Sequence, residues 1–165
     1  MPITLRDTVA EDESFLFELY ASTRAEEMAL VPWNDEQRKA FLTMQFSAQD
    51  SYYRERFSDA GFSVILRDDL PVGRFYVLRD KDEIRILDIT ILPASRSNGI
   101  GTALLSELLT EAMESRKPVR IHVETFNPSV RLFERLGFKS IAEEGFNFLM
   151  EWRAEKEARA GEKRC

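Results

Sequence analysis

Ile84-Arg-Ile-Leu-Asp-Ile-Thr-Ile-Leu92, Pro93-Ala-Ser-Arg-Ser-Asn-Gly-Ile-Gly101 and Thr102-Ala-Leu-Leu-Ser-Glu-Leu-Leu-Thr-Glu-Ala-Met113 follow one another near the middle of the chain. The first segment is a β-rich apolar run, the last has apolar residues at helical spacing, and the loop between them holds two glycines. The stretch therefore predicts a strand, a glycine-rich turn and a helix. At such a junction the turn amides and the unpaired amides of the helix amino end converge, and Gly99 and Gly101 allow close approach to the backbone. We expect a phosphate group to bind here.

Known phosphate-binding sequences narrow the choice of ligand. A Walker loop ends in Gly-Lys-Ser/Thr, which does not occur here, and a dinucleotide-binding fingerprint needs a third glycine at the position of Leu104. The loop Arg96-Ser-Asn-Gly-Ile-Gly101 instead resembles the pyrophosphate-binding loop of the GNAT acetyltransferases, which cradles acetyl-CoA. An ordinary turn between a strand and a helix is the alternative reading of so short a motif.

The length and composition of the chain indicate which kinds of protein it can be. A chain of 165 residues with 44% hydrophobic residues is long enough for one domain with a real core, and we expect a single domain over 1–152. No apolar run is long enough to span a bilayer and no signal-peptide pattern opens the chain, so we expect a cytoplasmic protein that does not bind membranes. One Cys and one His leave no disulfide framework and no Cys/His metal cluster. The net charge of −6 argues against nucleic-acid binding and favours an amine or another cationic partner.

The periodicity and the capping signals predict the remaining elements. Before the central stretch we expect a strand over 3–6, a helix that opens with a Thr8/Glu11 capping box and runs to about 24, a connection over 26–33, a helix with an Asn34/Gln37 capping box, and strands over 62–66 and 72–78. After it we expect a strand over 119–123 that pairs in parallel, a short helix that begins at Asn127-Pro128 and ends at Gly137, and an antiparallel pair over 139–142 and 146–152. The charged segment 153–165 lacks a core face and is expected to be a frayed helix or disordered.

A second block strengthens the resemblance to the GNAT family. Val123-Glu-Thr-Phe-Asn-Pro-Ser-Val-Arg-Leu-Phe-Glu-Arg-Leu-Gly-Phe138 resembles the family's Asn-containing loop and the helix that follows it. The order of predicted elements over 3–152 also resembles the GNAT fold. The resemblance implies an α/β (α+β) fold with a mixed, mostly antiparallel sheet of about seven strands and about four helices, in which a central parallel pair splays around acetyl-CoA.

The resemblance also implies an activity. It is that of an N-acetyltransferase, which moves the acetyl group of acetyl-CoA, its co-substrate, to a primary amine of a small molecule, peptide or protein by direct attack in a ternary complex. A non-catalytic acyl-CoA-binding or sensing module is the alternative. We expect a monomer or a homodimer, for which strand addition at the last hairpin offers a route, and neither a metal nor a nucleic acid as a partner.

The resemblance assigns the cofactor-binding residues. Backbone groups of Thr90, Ile91 and Leu92 would hold the pantetheine arm, with the Ile91 N–H as a donor to the thioester oxygen. The side chain of Arg96 and the amides of Ser97, Asn98, Gly99, Ile100, Gly101 and Thr102 would bind the pyrophosphate. Asn127 would contact the pantetheine in addition to capping its helix. Phe133 stands where many family members have a tyrosine that is proposed to protonate the CoA thiolate, which a phenylalanine cannot do.

The proton acceptor is left open among several residues. Along the strand over 119–123, Val119, Ile121 and Val123 fill one face, so the opposite face looks onto a cleft or an open edge. His122 lies on that face with Glu124, and an imidazole is suited to removing a proton near neutral pH. Asp88, within an apolar strand, needs partners and is expected to have a structural role rather than that of a base. Tyr52 or Tyr53 could supply the missing acid.

Overall fold

The structure is a computed structural model in which residues 2–154 are described, so most of the predicted tail, 155–165, lies outside the described residues. Its strands are β1 (Ile3–Asp7), β2 (Gly61–Arg67), β3 (Leu70–Arg79), β4 (Ile84–Ile91), β5 (Val119–Glu124), β6 (Lys139–Glu144) and β7 (Asn147–Trp152). Its helices are α1 (Glu13–Thr23), α2 (Ala25–Ala29), α3 (Asp35–Arg56), α4 (Ile100–Ser115) and α5 (Val130–Arg135), with 3-10 turns at Ala10–Asp12 and Pro93–Ser95.

The seven strands form one mixed sheet in the order β1-β2-β3-β4-β5-β7-β6. The predicted parallel pair is confirmed, because Ile84–Ile86 of β4 pairs in parallel with Val119–Ile121 of β5. Strand β1 pairs antiparallel with β2, and β7 pairs antiparallel with both β5 and β6. The expected fold class, a mixed sheet of seven strands with flanking helices, is therefore confirmed.

The chain divides into two compact units. Within the described residues, the first unit comprises the chain up to Tyr76 together with Asp88–Asn98. Its core includes a cluster in which α1, α2 and α3 bury apolar side chains against one another: Leu16, Tyr20, Met28, Leu42 and Phe46. The second unit comprises Val77–Leu87 and the chain from Gly99, and it buries the apolar stripe of α4 and one face of β5.

Two helix beginnings were predicted wrongly. No Thr8/Glu11 capping box opens α1: the Val9 N–H donates to the Asp12 carboxylate at 2.8 Å, because Asp12 is fixed there by two bonds from Arg6, also of 2.8 Å. The second box is correct, since Gln37 N–H donates to Asn34 Oδ1 at 2.8 Å and Asn34 N–H donates to Gln37 Oε1 at 2.9 Å. Helix α5 begins two residues later than predicted, because Asn127 Oδ1 accepts the Ser129 N–H in a tight turn before the helix.

The predicted connection over 26–33 contains α2, so the structure describes five helices rather than about four. Its sequence, Ala-Glu-Glu-Met-Ala, is made of good helix formers but is too short to be stable alone. Met28 is buried in the α1–α3 cluster, and this packing fixes the helix. Within residues 2–154, no helix has the length and apolarity that a membrane span requires.

Candidate cofactor and acyl-transfer site

The glycine-rich loop ends in a helix terminus that no protein side chain caps. Gly99 precedes α4 with φ +77°, in the left-handed region that favours glycine, and a Cβ placed on it would meet no other atom within 4 Å. Within the described chain, the amino end of α4 has no side-chain cap and no acidic residue in its first turn. The Ile100, Gly101 and Thr102 amides belong to that first turn, which normally lacks intrahelical partners. The terminus is therefore open to an external anion.

Arg96 and its two neighbours give the loop its shape. Arg96 Nε donates to the Ile91 carbonyl at 3.0 Å, so this guanidinium bonds back to the end of β4. Ser97 has φ +64°, and Asn98 Nδ2 donates to the Ser95 carbonyl at 3.2 Å. The loop thus turns tightly between Pro93–Ser95 and α4, with side chains bonded to its own backbone.

The last residues of β4 point their backbone groups in alternating directions. The Leu92 N–H donates to the Val72 carbonyl at 2.8 Å, and the Leu92 carbonyl accepts the Ser95 N–H at 2.9 Å. A Cβ on Gly73 of β3 would collide with the Thr90 carbonyl oxygen, so Thr90 also directs its backbone toward β3. Because successive strand residues direct N–H and C=O groups to opposite edges, Ile91 faces away from β3. Of the three residues predicted to contact pantetheine, Ile91 is the one whose amide is turned to the other edge.

Asp88 lies in a buried polar cluster in the first unit. Asp88 Oδ2 accepts Arg74 Nη2 at 2.8 Å, and the two side chains are 13% and 3% exposed respectively. Asp88 Oδ1 accepts the Thr90 hydroxyl at 2.5 Å, and the same Arg74 nitrogen donates to Gln49 Oε1 at 2.8 Å. The need of Asp88 for partners was predicted, but Arg74 and Gln49 were missed. A charged residue inside the apolar run 72–78 was the signal that could have identified Arg74.

Tyr53, rather than Tyr52, belongs to this cluster. Tyr53 forms a side-chain hydrogen bond with Asp88, and burial, followed by the negative charge of Asp88, raises the pKa of its phenol. Burial would lower the pKa of Arg74, but the charge of Asp88 and its hydrogen bond outweigh this effect and the guanidinium pKa is raised. Tyr52 is 55% exposed, and its ring contacts those of Tyr53 and Phe57 at centroid distances of 6.0 Å.

The two residues predicted on the polar face of β5 lie in the second unit. The burial of β5 alternates as predicted, with Val119, Ile121 and Val123 buried. The His122 side chain is 37% exposed, with Nδ1 3.2 Å from Arg85 Nη2 and Nε2 3.5 Å from Glu144 Oε2. An Arg can only donate, so the Arg85 contact fits an unprotonated Nδ1 with the proton on Nε2. Glu124 is half-buried one step along the same face.

Asn127 and Phe133 also belong to the second unit. Asn127 is exposed, and its side-chain oxygen accepts the Ser129 N–H. Phe133 is 1% exposed and packs edge-on against Phe138 with ring centroids 5.2 Å apart. Helix α5 ends at Arg135, and Gly137 just after it is the predicted left-handed residue, with φ +100°. Contact of Asn127 and Phe133 with a cofactor remains a prediction.

The profile of the Acetyltransferase (GNAT) family matches residues 16–138, more than half of the chain. This chain belongs to the GNAT acetyltransferase family. The match covers both segments that carry the resemblance in the sequence, the loop at 96–101 and the block at 123–138. No curated protein matches the sequence significantly.

Solved structures of GNAT proteins have the same fold. The PaiA N-acetyltransferase of Thermoplasma acidophilum in complex with coenzyme A matches with a TM-score of 0.69 and 20% identity, over 93% of this chain and 100% of that one. Arabidopsis thaliana Naa50 in complex with the bisubstrate analogue CoA-Ac-MVNAL matches with a TM-score of 0.61 and 18% identity, over 93% and 100%. A GNAT family acetyltransferase of Elizabethkingia anophelis with acetyl-CoA bound gives 0.58 and 15%, over 92% and 98%. GNAT enzymes use acetyl-CoA as co-substrate, which agrees with the co-substrate predicted from the sequence.

Proposed function

We propose that this protein is an N-acetyltransferase that moves the acetyl group of acetyl-CoA to a primary amine of a small molecule, peptide or protein, by direct attack in a ternary complex. One observation supports the donor site most strongly. Among residues 2–154, no side chain caps the amino end of α4, and Gly99 before it leaves open space where any other residue would place a Cβ. A pyrophosphate would satisfy these amides and interact favourably with the positive end of the helix dipole.

In this proposal the donor binds along the loop and the end of β4. The amides of residues 97–102 bind the pyrophosphate, and Arg96 adds positive charge. The pantetheine arm runs along the end of β4, where the Ile91 N–H, which faces away from β3, donates to the thioester oxygen and stabilises the negative charge that develops on it.

The reaction needs a proton acceptor and a route for the leaving group. The neutral amine nitrogen attacks the thioester carbon and forms the new C–N bond, a base takes the proton that this nitrogen must lose, the C–S bond breaks, and the thiolate of CoA leaves. The unprotonated Nδ1 of His122, directly or through one water, and the carboxylate of Glu124 are the proposed bases. The oxygens of Asp88 accept bonds from Arg74 and Thr90, which supports a structural role for this carboxylate.

The leaving thiolate of CoA can also take up a proton from a donor. Since burial and Asp88 raise the pKa of Tyr53, this phenol holds its proton too tightly to donate readily to a thiolate. Tyr52, which is exposed, or water is the proposed donor. A free thiolate, with a parent pKa of about 8.5, is also a tolerable leaving group without protonation.

The donor site is tested with a matched pair of glycine variants. Gly99 and Gly145 both have positive φ, of +77° and +62°, and a Cβ on either would meet no atom within 4 Å. Gly99→Val and Gly145→Val therefore impose comparable backbone strain of about 1–2 kcal/mol. We expect isothermal titration calorimetry with CoA to show a loss of binding for Gly99→Val only. Equal CoA affinity in the two variants would exclude the loop as the pyrophosphate site.

A non-catalytic acyl-CoA-binding module is the second candidate. Phe133 favours it, because the residue at the family's acid position has no hydroxyl and is buried against Phe138. Both candidates share the donor site, so the glycine variants do not separate them. Turnover of the thioester in the presence of amines separates the enzyme from the binding module.

A further inference from the structure

An ion pair is buried between β3 and β4 in the first unit, where apolar side chains would be expected. Arg74 and Asp88 are almost entirely removed from water and are 2.8 Å apart. Withdrawing two charges from water costs several kcal/mol each, and replacing such a pair with apolar residues is often neutral or stabilising. The stability of the sheet alone therefore does not account for this pair.

The pair is connected to the end of β4 by short contacts. Through its other oxygen, Asp88 accepts the Thr90 hydroxyl at 2.5 Å, and Thr90 directly precedes Ile91. Through the same nitrogen that meets Asp88, Arg74 also donates to Gln49 of α3 at 2.8 Å. A continuous chain of hydrogen bonds thus runs from α3 through β3 to Thr90. This chain ties the side chain of Thr90 to β3 and α3.

The backbone around Thr90 is also held closely against β3. Gly73, which precedes Arg74, allows the Thr90 carbonyl to approach so closely that any Cβ would collide with it. The Leu92 N–H is bonded to the carbonyl of Val72, the residue before Gly73. Residues 72–74 of β3 therefore hold both neighbours of Ile91, and the Ile91 amide has little freedom to rotate.

We propose that Arg74 and Asp88 are positioning residues that hold Thr90–Leu92 so that the Ile91 N–H stays aimed at the carbonyl oxygen of acetyl-CoA. This inference rests on the donor site proposed above. The two side chains do not touch the reacting atoms. They act through Thr90, and they matter because an oxyanion donor contributes only when it lies within about 2.7–3.1 Å of the oxygen. A misplacement of about 1 Å costs on the order of 10²-fold in rate.

A double variant separates positioning from stability. Arg74→Met/Asp88→Leu removes both charges together and leaves no unpaired ion in the sheet, so the variant is expected to fold. We expect its dissociation constant for acetyl-CoA to stay within about threefold of the wild type, since the loop and α4 are unchanged. The kcat with an amine that the wild type acetylates should fall by about 10²-fold. The carbonyl ¹³C signal of bound [1-¹³C]acetyl-CoA should move toward its position in free solution.

A single-hydroxyl variant and a control complete the test. Thr90→Val keeps the shape of the side chain but removes the bond to Asp88, so it should shift the ¹³C signal and lower kcat in the same direction. Tyr76 provides the control: its buried hydroxyl has no hydrogen-bond partner in the described chain, and its ring lies beside Arg74, 5.0 Å from the guanidinium carbon. Tyr76→Phe should leave kcat and the ¹³C signal as in the wild type.

The outcomes distinguish this inference from the function on which it rests. Unchanged kcat and ¹³C signal in Thr90→Val, or in a folded double variant, would overturn the positioning role while the wild type still binds and transfers. If the wild type binds acetyl-CoA without turnover, no kcat can be compared, and the ¹³C signals of the variants then test the positioning role. A wild type that does not bind acetyl-CoA would overturn the donor site and this inference together.

Discussion

At the scale of single residues, we propose that the proton acceptor lies on the half-exposed face of β5, which carries His122 and Glu124. His122 contacts Arg85 through Nδ1 and faces Glu144 through Nε2, so its ring is held between a donor and an acceptor. Such contacts orient an imidazole, because the bond that one ring nitrogen makes determines which state the other nitrogen adopts. They also occur on ordinary sheet surfaces, and substitution distinguishes the two cases.

We expect His122→Gln to lower kcat/KM for a good amine by roughly 10²–10⁴-fold, because glutamine keeps hydrogen-bonding groups but cannot accept the proton. The rise of the rate with pH should disappear in this variant and persist in Glu124→Gln. Steady-state kinetics of both variants across pH provide the measurement. An unaltered profile in His122→Gln would remove His122 from the mechanism, and loss of the pH-dependent rise in Glu124→Gln would transfer the role to Glu124.

Phe133 allows a test of the missing acid. We expect Phe133→Tyr to lower the melting temperature of the free protein, because a hydroxyl buried at this position lacks a partner, and to raise kcat if leaving-group protonation limits the rate. Phe138→Tyr is the matched control, since Phe138 is also buried and its ring packs on Phe133. It should lower the melting temperature without raising kcat. If Phe133→Tyr is no faster than the wild type at any pH, water or another group already protonates the leaving thiolate.

At the scale of elements, the beginning of α1 depends on one carboxylate. Asp12 accepts two bonds from Arg6 and one from the Val9 N–H. The hydrogen bond from Arg6, despite the opposing effect of burial, holds the pKa of Asp12 below its ordinary value. A lowered pKa in the folded state stabilises the protein fully above the pKa of the unfolded chain, near 4, and this contribution is lost as pH falls through the lowered value.

We therefore expect Asp12→Asn to reduce the free energy of unfolding at pH 7 by about 0.5–2 kcal/mol, because the neutral amide loses the two charge-assisted bonds from Arg6. The difference from the wild type should shrink as pH falls below about 4. Urea unfolding at several pH values measures both effects. Asp35→Asn is the control, because Asp35 also lies in a first helical turn but is fully exposed and 3.6 Å from Arg38, so its substitution should reduce the stability much less than Asp12→Asn does. An equal cost of the two substitutions at pH 7 would contradict this account of α1.

Elements were predictable where the signal was local. The Asn34/Gln37 box and the glycine at the end of α5 lie within a few residues of the structure they specify, and both were found. Helix α2 was missed because its stability comes from Met28 in a core that other helices complete. Asp12 replaced the predicted Thr8/Glu11 cap because Arg6, on the preceding strand, fixes it.

In the candidate site, too, only features with a local signal could be predicted. The spacing of residues alone predicted the glycine-rich loop at 96–101 and the alternating burial of β5. The partner of Asp88 could not be predicted in this way, because Arg74 is fourteen residues away on a neighbouring strand, and only the sheet brings the two together. Similarly, no local pattern distinguishes Tyr52 from Tyr53, although one is exposed and the other bonds to Asp88.

At the scale of the whole molecule, the family and the fold are established, whereas the amine that accepts the acetyl group is still to be identified. The GNAT profile covers both motifs, and the mixed sheet has its parallel pair at β4 and β5. The net charge of −6 is compatible with a cationic acceptor but does not identify one. The chemical outcome of donor binding is therefore the most informative property to measure.

The most direct measurement is the release of CoA from acetyl-CoA by the wild-type protein across a panel of small primary amines and peptides with free amino termini, with the products identified by mass spectrometry. The account predicts that CoA is released only when an amine is present, and that one acetylated amine forms for each CoA. Tight binding of acetyl-CoA with no amine-dependent release of CoA across the panel would contradict it and would identify the protein as an acyl-CoA-binding module.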